Sequence, residues 1–260
     1  MKFIKILTLA IITLGLICFD TKANSTGSVK NYSGWTYEIE PYLFINNIDG
    51  NAKIGLAPHS ELNVDFGTIF DNLNMAGMIH FEAHHASGWG LAVDYAFMDL
   101  GQKDTNKTGG INKVSMRQGV LEALGLYRVK YGDNRVDYFS GIRWWDNDLS
   151  LSFALNEQDP FVDLAIEEDW VDIVVGARWY LPISKNWELV SRADIGGFGI
   201  TSQFTSTVEL GAIYHFSKSM RIDMKYKSSW VDYDNEELGR DTFIYDTVTH
   251  GPLIGWIFEF

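Results

Sequence analysis

The chain has 260 residues, with 24 Gly, 5 Pro, 14% aromatic residues and a formal charge of −13 at pH 7. That length suits one large all-β domain, and the acidity argues against a nucleic-acid partner, whose phosphates it would repel. A single cysteine, Cys18, excludes a disulfide scaffold.

The longest apolar run comes first. MKFIK is a short basic segment, ILTLAIITLGLICF an apolar one, and DTKANS carries small residues at Thr21 and Ala23. A run this short falls below the roughly 20 residues of a spanning helix. The pattern predicts a secretory signal over 1–23, cleaved after Ala23 by a Sec-type route. Ile17 before Cys18 lacks the small side chain that lipidation needs. Cleavage would leave 18 basic and 33 acidic side chains, a formal charge of −15, and no cysteine. An exported chain without disulfides must hold itself together by sheet closure and packing.

Residues 24–33 read as a short periplasmic segment, and 34–260 as a single barrel with no linker. Period-2 alternation predicts ten strands, over 35–46, 75–85, 89–99, 113–129, 135–150, 169–181, 187–197, 203–216, 220–232 and 247–260. Eight or twelve strands are alternatives, because 51–66 has room for a further hairpin. Short turns after 85, 129, 181 and 216 alternate with longer loops over 47–74, 100–112, 151–168 and 233–246; 198–202 is a brief exception. An even strand count, short periplasmic turns and long outer loops describe a closed antiparallel transmembrane β-barrel.

Each strand is two-faced. Trp89, Leu91, Val93, Tyr95 and Phe97 alternate with Gly90, Ala92, Asp94 and Ala96; Val171, Ile173, Val175 and Trp179 oppose Asp172, Gly176 and Arg178. Lipid requires the apolar face outside and tolerates a polar lumen. Trp35, Trp89, Tyr127, Trp179, Trp187 and Tyr214 lie near strand ends, where interfacial girdles need amphipathic rings. The inward set then contains a charge network of Glu82, Asp94, Glu122, Arg128, Asp137, Arg143, Asp172, Arg178, Arg192, Asp194 and Glu209. Glu38, Glu40, His80, His84, Glu188, Arg221, Asp223 and Lys225 share the same face. Arg143, Arg178 and Arg192 come from consecutive strands, each beside an acid, which predicts a ladder of bidentate pairs. Such pairs either hold the barrel shut or line a narrow, gated, cation-favouring pore. In the 47–74 loop, Phe66, Ile69, Phe70 and Leu73 have helix-like spacing. A helix there would plug the mouth, or a surface loop would bury these side chains against the rim.

At the other end, Ile254, Trp256, Phe258 and Phe260 alternate with Gly255, Ile257 and Glu259. A last strand that pairs with the first explains an aromatic at Phe260, since hydrocarbon tolerates no open sheet edge. This terminal alternation resembles that of bacterial outer-membrane barrels. The segments FEAHHASGWGLAVD, GIRWW, RADIGGFG and HGPLIGWIFEF are similar to those of small barrels in the opacity-protein and OmpA-barrel superfamily. The resemblance spans 34–260. It implies a Gram-negative outer membrane, contact with lipid and lipopolysaccharide, and recognition of Ile254, Trp256, Phe258 and Phe260 by the barrel-assembly machinery. Function does not follow, because the superfold carries adhesins, pores, enzymes and structural proteins.

Motifs for chemistry are sparse. His85-Ala86-Ser87 is a His-x-Ser pair near Glu82, but on a periplasmic turn, away from lipopolysaccharide acyl chains. His80 and His84 share a face, yet positions i and i+4 of a strand lie about 13 Å apart, too far for one ion. The acidic stretches QDPFVDLAIEED and VDYDNEELGRD read as loops that lack EF-hand spacing. No cofactor, metal or catalytic residue is expected. The sequence points to a non-enzymatic barrel, porin-like or structural; the alternative is a lipid-modifying hydrolase.

Overall fold

A computed structural model describes residues 34–56, 59–105, 111–153 and 162–260. The expected signal segment with Ala23, and the stretch 24–33, lie outside them. Among the described residues no helix is long and apolar enough to cross a membrane. The crossing elements are strands.

Ten antiparallel strands close the barrel: β1 (Trp35–Phe44), β4 (Leu73–His85), β5 (Trp89–Thr105), β6 (Ile111–Tyr131), β7 (Asn134–Phe153), β8 (Val162–Pro182), β9 (Trp187–Gly196), β10 (Phe204–His215), β11 (Met220–Asp234) and β12 (Phe243–Glu259). Neighbours in sequence are neighbours in the sheet, and β12 returns to β1. At that seam Tyr37 and Phe260 exchange backbone hydrogen bonds of 3.0 Å each, and the pairing continues to Phe44 opposite Leu253. The register lapses at Glu40 and Pro41 and resumes at Tyr42. Pro41 has no N–H to give, and the odd residues of β1 are those that bond toward β12.

The turns at the end bearing Trp35 are tight. Gly88 shows why: its φ is +96°, a conformation that L side chains rarely adopt. A Cβ there would also lie 2.9 Å from the Arg128 carbonyl oxygen, which belongs to the next hairpin.

At the opposite end the predicted strand limits need correction. Seven strands run on past the sequence-based limits toward the outside, β4, β6 and β11 by two residues each, and further β5 to Thr105, β7 to Phe153, β8 from Val162 and β12 from Phe243. Thus Val162–Glu168, read as acidic loop, is strand, and so are Tyr233 and Asp234. The reason lies in the outer face. Asp163, Glu167 and Asp169 are exposed there and mask the alternation of Leu164, Ile166 and Trp170 on the inner face. The 47–74 region differs as well. It folds into β2 (Asn47–Ile54), paired with the upper half of β12, then β3 (Ser60–Val64), then α1 (Phe66–Asp71). The sheet therefore has twelve strands, of which ten close the barrel.

Helix α1 is capped by Asp65, whose carboxylate accepts the Thr68 N–H at 2.9 Å and is held below its ordinary pKa by that bond. It buries Ile69 against Ile48 and Met98, while Phe70 is exposed and its ring pairs with Phe66 at 5.8 Å. Of the four side chains with helix-like spacing, Ile69 is buried, Phe66 and Leu73 are half-buried and Phe70 is exposed. The helix wedges one aliphatic side chain between β2 and β5.

Above the membrane level the tall strands enclose an apolar core. Trp145, Trp170, Tyr233, Phe243, Tyr245, Ala52 and Val231 form one buried cluster. Trp170 stacks on Tyr233 at 3.8 Å and 5°, and on Trp145 at 5.6 Å. Replacing a buried Trp by Ala removes its packing and leaves a cavity, at about 3–5 kcal/mol. Trp170→Ala is therefore expected to lower the unfolding free energy measured by urea titration by that amount, with a lower midpoint, and to make the outer strands protease-sensitive. An unchanged midpoint with an intact outer region would show that the cluster does not hold the extension together.

Candidate functional site

The outward faces of the barrel strands carry an exposed apolar surface. Leu91, Val93, Ile142, Ile173, Val175, Leu210, Ile254 and Trp256 are exposed, and so is Phe260 at 67%. The four aromatic or aliphatic positions of the terminal signature thus lie on the outer face. At the short-turn end, Trp89 packs edge-on against Tyr127 at 5.0 Å and Trp187 against Tyr214 at 4.9 Å. Near the loop end, the indoles of Trp144 and Trp230 donate to Asp169 (3.4 Å) and Asp246 (3.1 Å), so a second aromatic level sits directly beneath a belt of carboxylates.

The inward faces carry every residue of the expected charge network, and the structure joins them in stacked groups. At the short-turn end, Arg135 grips Glu188 with both guanidinium arms, one at 2.8 Å, and lies over the Tyr180 ring at 3.8 Å. Arg221 bonds Glu38 at 2.7 Å. Tyr180, Val190, Ile213 and Ile257 pack as an apolar layer beside them.

The next group is built on Glu82. Its two oxygens receive His80 Nε2 at 2.7 Å and His84 Nε2 at 2.6 Å, and Arg178 lies 2.5 Å away. Arg128 holds Asp137 in a bidentate pair of 2.6 and 2.7 Å, and Arg178 reaches the same carboxylate at 3.2 Å. His80 also contacts Asp94 at 3.1 Å, and the Tyr42 hydroxyl donates to Asp94 at 2.8 Å. The two histidines, too far apart to share an ion, are thus bridged by the carboxylate between them. Glu82, His84 and Asp137 each bring one potential ligand atom within 4.8 Å of the others. Both carboxylates are already neutralised by Arg128 and Arg178, so the arrangement works as an ion-pair network.

Further up, Arg143 and Arg192 share two acids. Arg143 bonds Glu122 at 2.7 Å and Asp194 at 2.9 Å; Arg192 bonds Glu122 at 2.8 Å and Asp194 at 2.7 Å. Arg143 also donates to Thr205 at 2.9 Å. This corrects the expected ladder. Arg178 stands opposite Arg192 across β8 and β9, yet belongs to the Glu82–Asp137 group, so there are two clusters and no continuous series. Glu209 pairs with Lys225 at 3.1 Å. Asp172 makes no ion pair among the described residues. It accepts the Trp170 indole N–H at 3.1 Å, the Ser202 N–H at 3.1 Å and the Ser202 hydroxyl at 2.7 Å, tying the β9–β10 loop to the aromatic cluster.

Sequence reasoning missed the neutral partners. Tyr42, Thr205 and Ser202 complete the network, and Gln118 bonds Asn147 at 2.8 Å and Tyr245 at 3.1 Å above it. For the strand residues among them, inward phase in the alternation was the available signal; Ser202 lies in a loop and gave none. Two small cavities remain between the groups. One of about 40 Å³ is bordered by Glu40, Asp94 and Asp223; one of about 80 Å³ is bordered by Phe44, Met98 and Trp145; Tyr42 and Asp94 border both. At 10–15 Å³ for a water, each holds a few waters.

His85 Nδ1 meets Ser87 Oγ at 2.7 Å on the exposed β4–β5 turn, and its ring packs on Trp35 at 5.0 Å. No carboxylate hydrogen-bonds the His85 ring among the described residues.

No family model matches the chain, and no curated protein matches it. Among solved structures, the outer-membrane protease OmpT of Escherichia coli is similar with a TM-score of 0.51 at 9% identity, covering 91% of this chain and 99% of that one. The chain has the fold of a small outer-membrane β-barrel. Weaker likenesses are the translocator domain of the autotransporter NalP from Neisseria meningitidis (TM-score 0.46, 13% identity, 100% of this chain and 96% of that one) and Ail, the attachment invasion locus protein of Yersinia pestis, in complex with a heparin analogue (0.38, 9%, 88% and 99%).

Removing one partner of a buried charge cluster leaves an uncompensated ion and costs about 3–5 kcal/mol. Arg143 is 2% exposed and serves both Glu122 and Asp194. Arg143→Ala is expected to destabilise the barrel by that amount in urea titration in detergent, and exposed Arg117→Ala by less than about 1 kcal/mol. Equal effects would mean that the cluster adds nothing.

Proposed function

We propose that this chain is a non-enzymatic barrel of the Gram-negative outer membrane whose lumen is a sealed, charge-paired core. Its role is structural or surface-interacting, carried by the tall outer strands, the β2–β3 hairpin and α1. Of the two non-enzymatic readings, the filled lumen favours this one over a narrow pore. The observation that carries it is the stacking along the barrel axis: an apolar layer beside Tyr180, two Arg–carboxylate clusters, then the Trp170–Tyr233 stack. A conducting path would need these groups to part. Ten strands stand near the size at which a barrel is filled by its own side chains. The exposed apolar belt between two aromatic levels supports residence in lipid, and the carboxylates above Trp144 and Trp230 would meet the polar headgroup zone of lipopolysaccharide.

Planar-bilayer recording tests this. Wild type is expected to give no resolved steps under moderate voltage, and Arg143→Ala or Arg178→Ala at most small, cation-selective ones, since the lumen is acid-rich. Regular cation-selective steps from wild type would refute the sealed lumen and favour the narrow pore.

A second reading, a lipid-modifying hydrolase, rests on the 2.7 Å His85–Ser87 hydrogen bond. A serine nucleophile also needs its histidine oriented by a third group, and the pair lies at the short-turn end. Phospholipid or lipopolysaccharide hydrolysis that disappears in Ser87→Ala would favour this reading over ours.

A further inference from the structure

Two neighbouring carboxylates in the lumen each keep one buried oxygen without a hydrogen-bond partner. Glu40 on β1 and Asp223 on β11 are 7% and 2% exposed, and Glu40 Oε1 and Asp223 Oδ1 have no hydrogen-bond partner. Both residues border the 40 Å³ cavity. The chain brings them together through Gly255. That residue stands opposite Asp223 on β11 and Tyr42 on β1, and a Cβ on it would lie 1.8 Å from Glu40 Oε1. The Glu40 carboxylate therefore lies against Gly255, the residue opposite Asp223.

The nearby bases are already engaged. Lys225 is 2.8 Å from the other Asp223 oxygen and 3.1 Å from Glu209, and Lys227 leans on Glu209 at 3.9 Å. His80 is held between Glu82 and Asp94. Glu40 has no ion pair among the described residues. An ionised carboxylate buried without compensation costs far more than a barrel of ordinary stability can spare. The unpartnered oxygens and the cavity that both residues border are separate observations, and a cation between the two carboxylates would account for both.

We propose that Glu40 and Asp223 hold one small hard cation, sodium- or calcium-like, inside the lumen. Carboxylate oxygens are the donors such ions prefer, and the cavity has room for a small ion with water in its shell. The ion would complete the sealed lumen as a structural element of the barrel.

The test uses the full barrel folded in uncharged detergent, washed with chelator and kept in choline chloride at constant ionic strength. Its thermal midpoint is read on adding CaCl2 or NaCl. Saturating binding should raise the wild-type midpoint by about 5 °C or more with one of the two salts. Glu40→Gln and Asp223→Asn, which keep side-chain volume, should abolish most of that rise, and either serves if the other fails to fold. Asp146→Asn on the outer face, opposite Asp169, should respond like wild type. Three outcomes would overturn the proposal: no rise with either salt, an undiminished rise in both lumen variants, or a midpoint that responds only to falling pH. The second would place the ion on surface carboxylates, and the third would mean that the two carboxyls share a proton.

Discussion

The structure depends first on the seam between β1 and β12. A strand crossing hydrocarbon has no water to satisfy its N–H and C=O groups, so the sheet must close on itself. Closure brings Tyr37 to Phe260 and Phe44 to Leu253. It also turns one face of every strand into a narrow interior. The rest of the molecule answers the question of what fills that interior.

The answer changes along the axis. In the membrane-level part, long Arg and Glu side chains reach across and satisfy one another; charges in a low-dielectric space are tolerable only when paired. Glu82 and Asp137 share Arg178, and Glu122 and Asp194 share Arg143 and Arg192. Sharing fixes several strands against one another at once. Above, where the outer faces meet water, the interior becomes apolar and the Trp170–Tyr233 stack closes it. Asp172 joins the two regimes, accepting from both Trp170 and Ser202.

Much of this was legible beforehand, because period-2 alternation is a direct reading of which side chain faces lipid. Glu82, Arg143 and Asp194 face inward as their phase required. Their partners were not legible. Which acid an arginine meets depends on strand tilt and stagger, quantities absent from a linear pattern, so Arg178 and Arg192 fell into different clusters despite adjacent positions. The outer limits of the strands were obscured for another reason. Beyond the apolar belt, Asp163, Glu167 and Asp169 occupy the face that lipid had kept apolar, and the strand then looks like an acidic loop. The β2–β3 hairpin and the role of Ile69 depend on contacts with β12 and β5 that local spacing does not contain.

The central claim is that the lumen is closed to solution. Because residues 34–260 contain no cysteine, single cysteines introduced inside the barrel report access directly. Ala92 and Thr207, 3% and 2% exposed on the inner wall, are suitable positions, with Ser219 on a short turn as the accessible reference. The account predicts that a small charged thiol reagent labels Ser219→Cys rapidly and leaves Ala92→Cys and Thr207→Cys essentially unmodified in the folded barrel. Labelling of either inner position at a rate close to that of Ser219→Cys would contradict it.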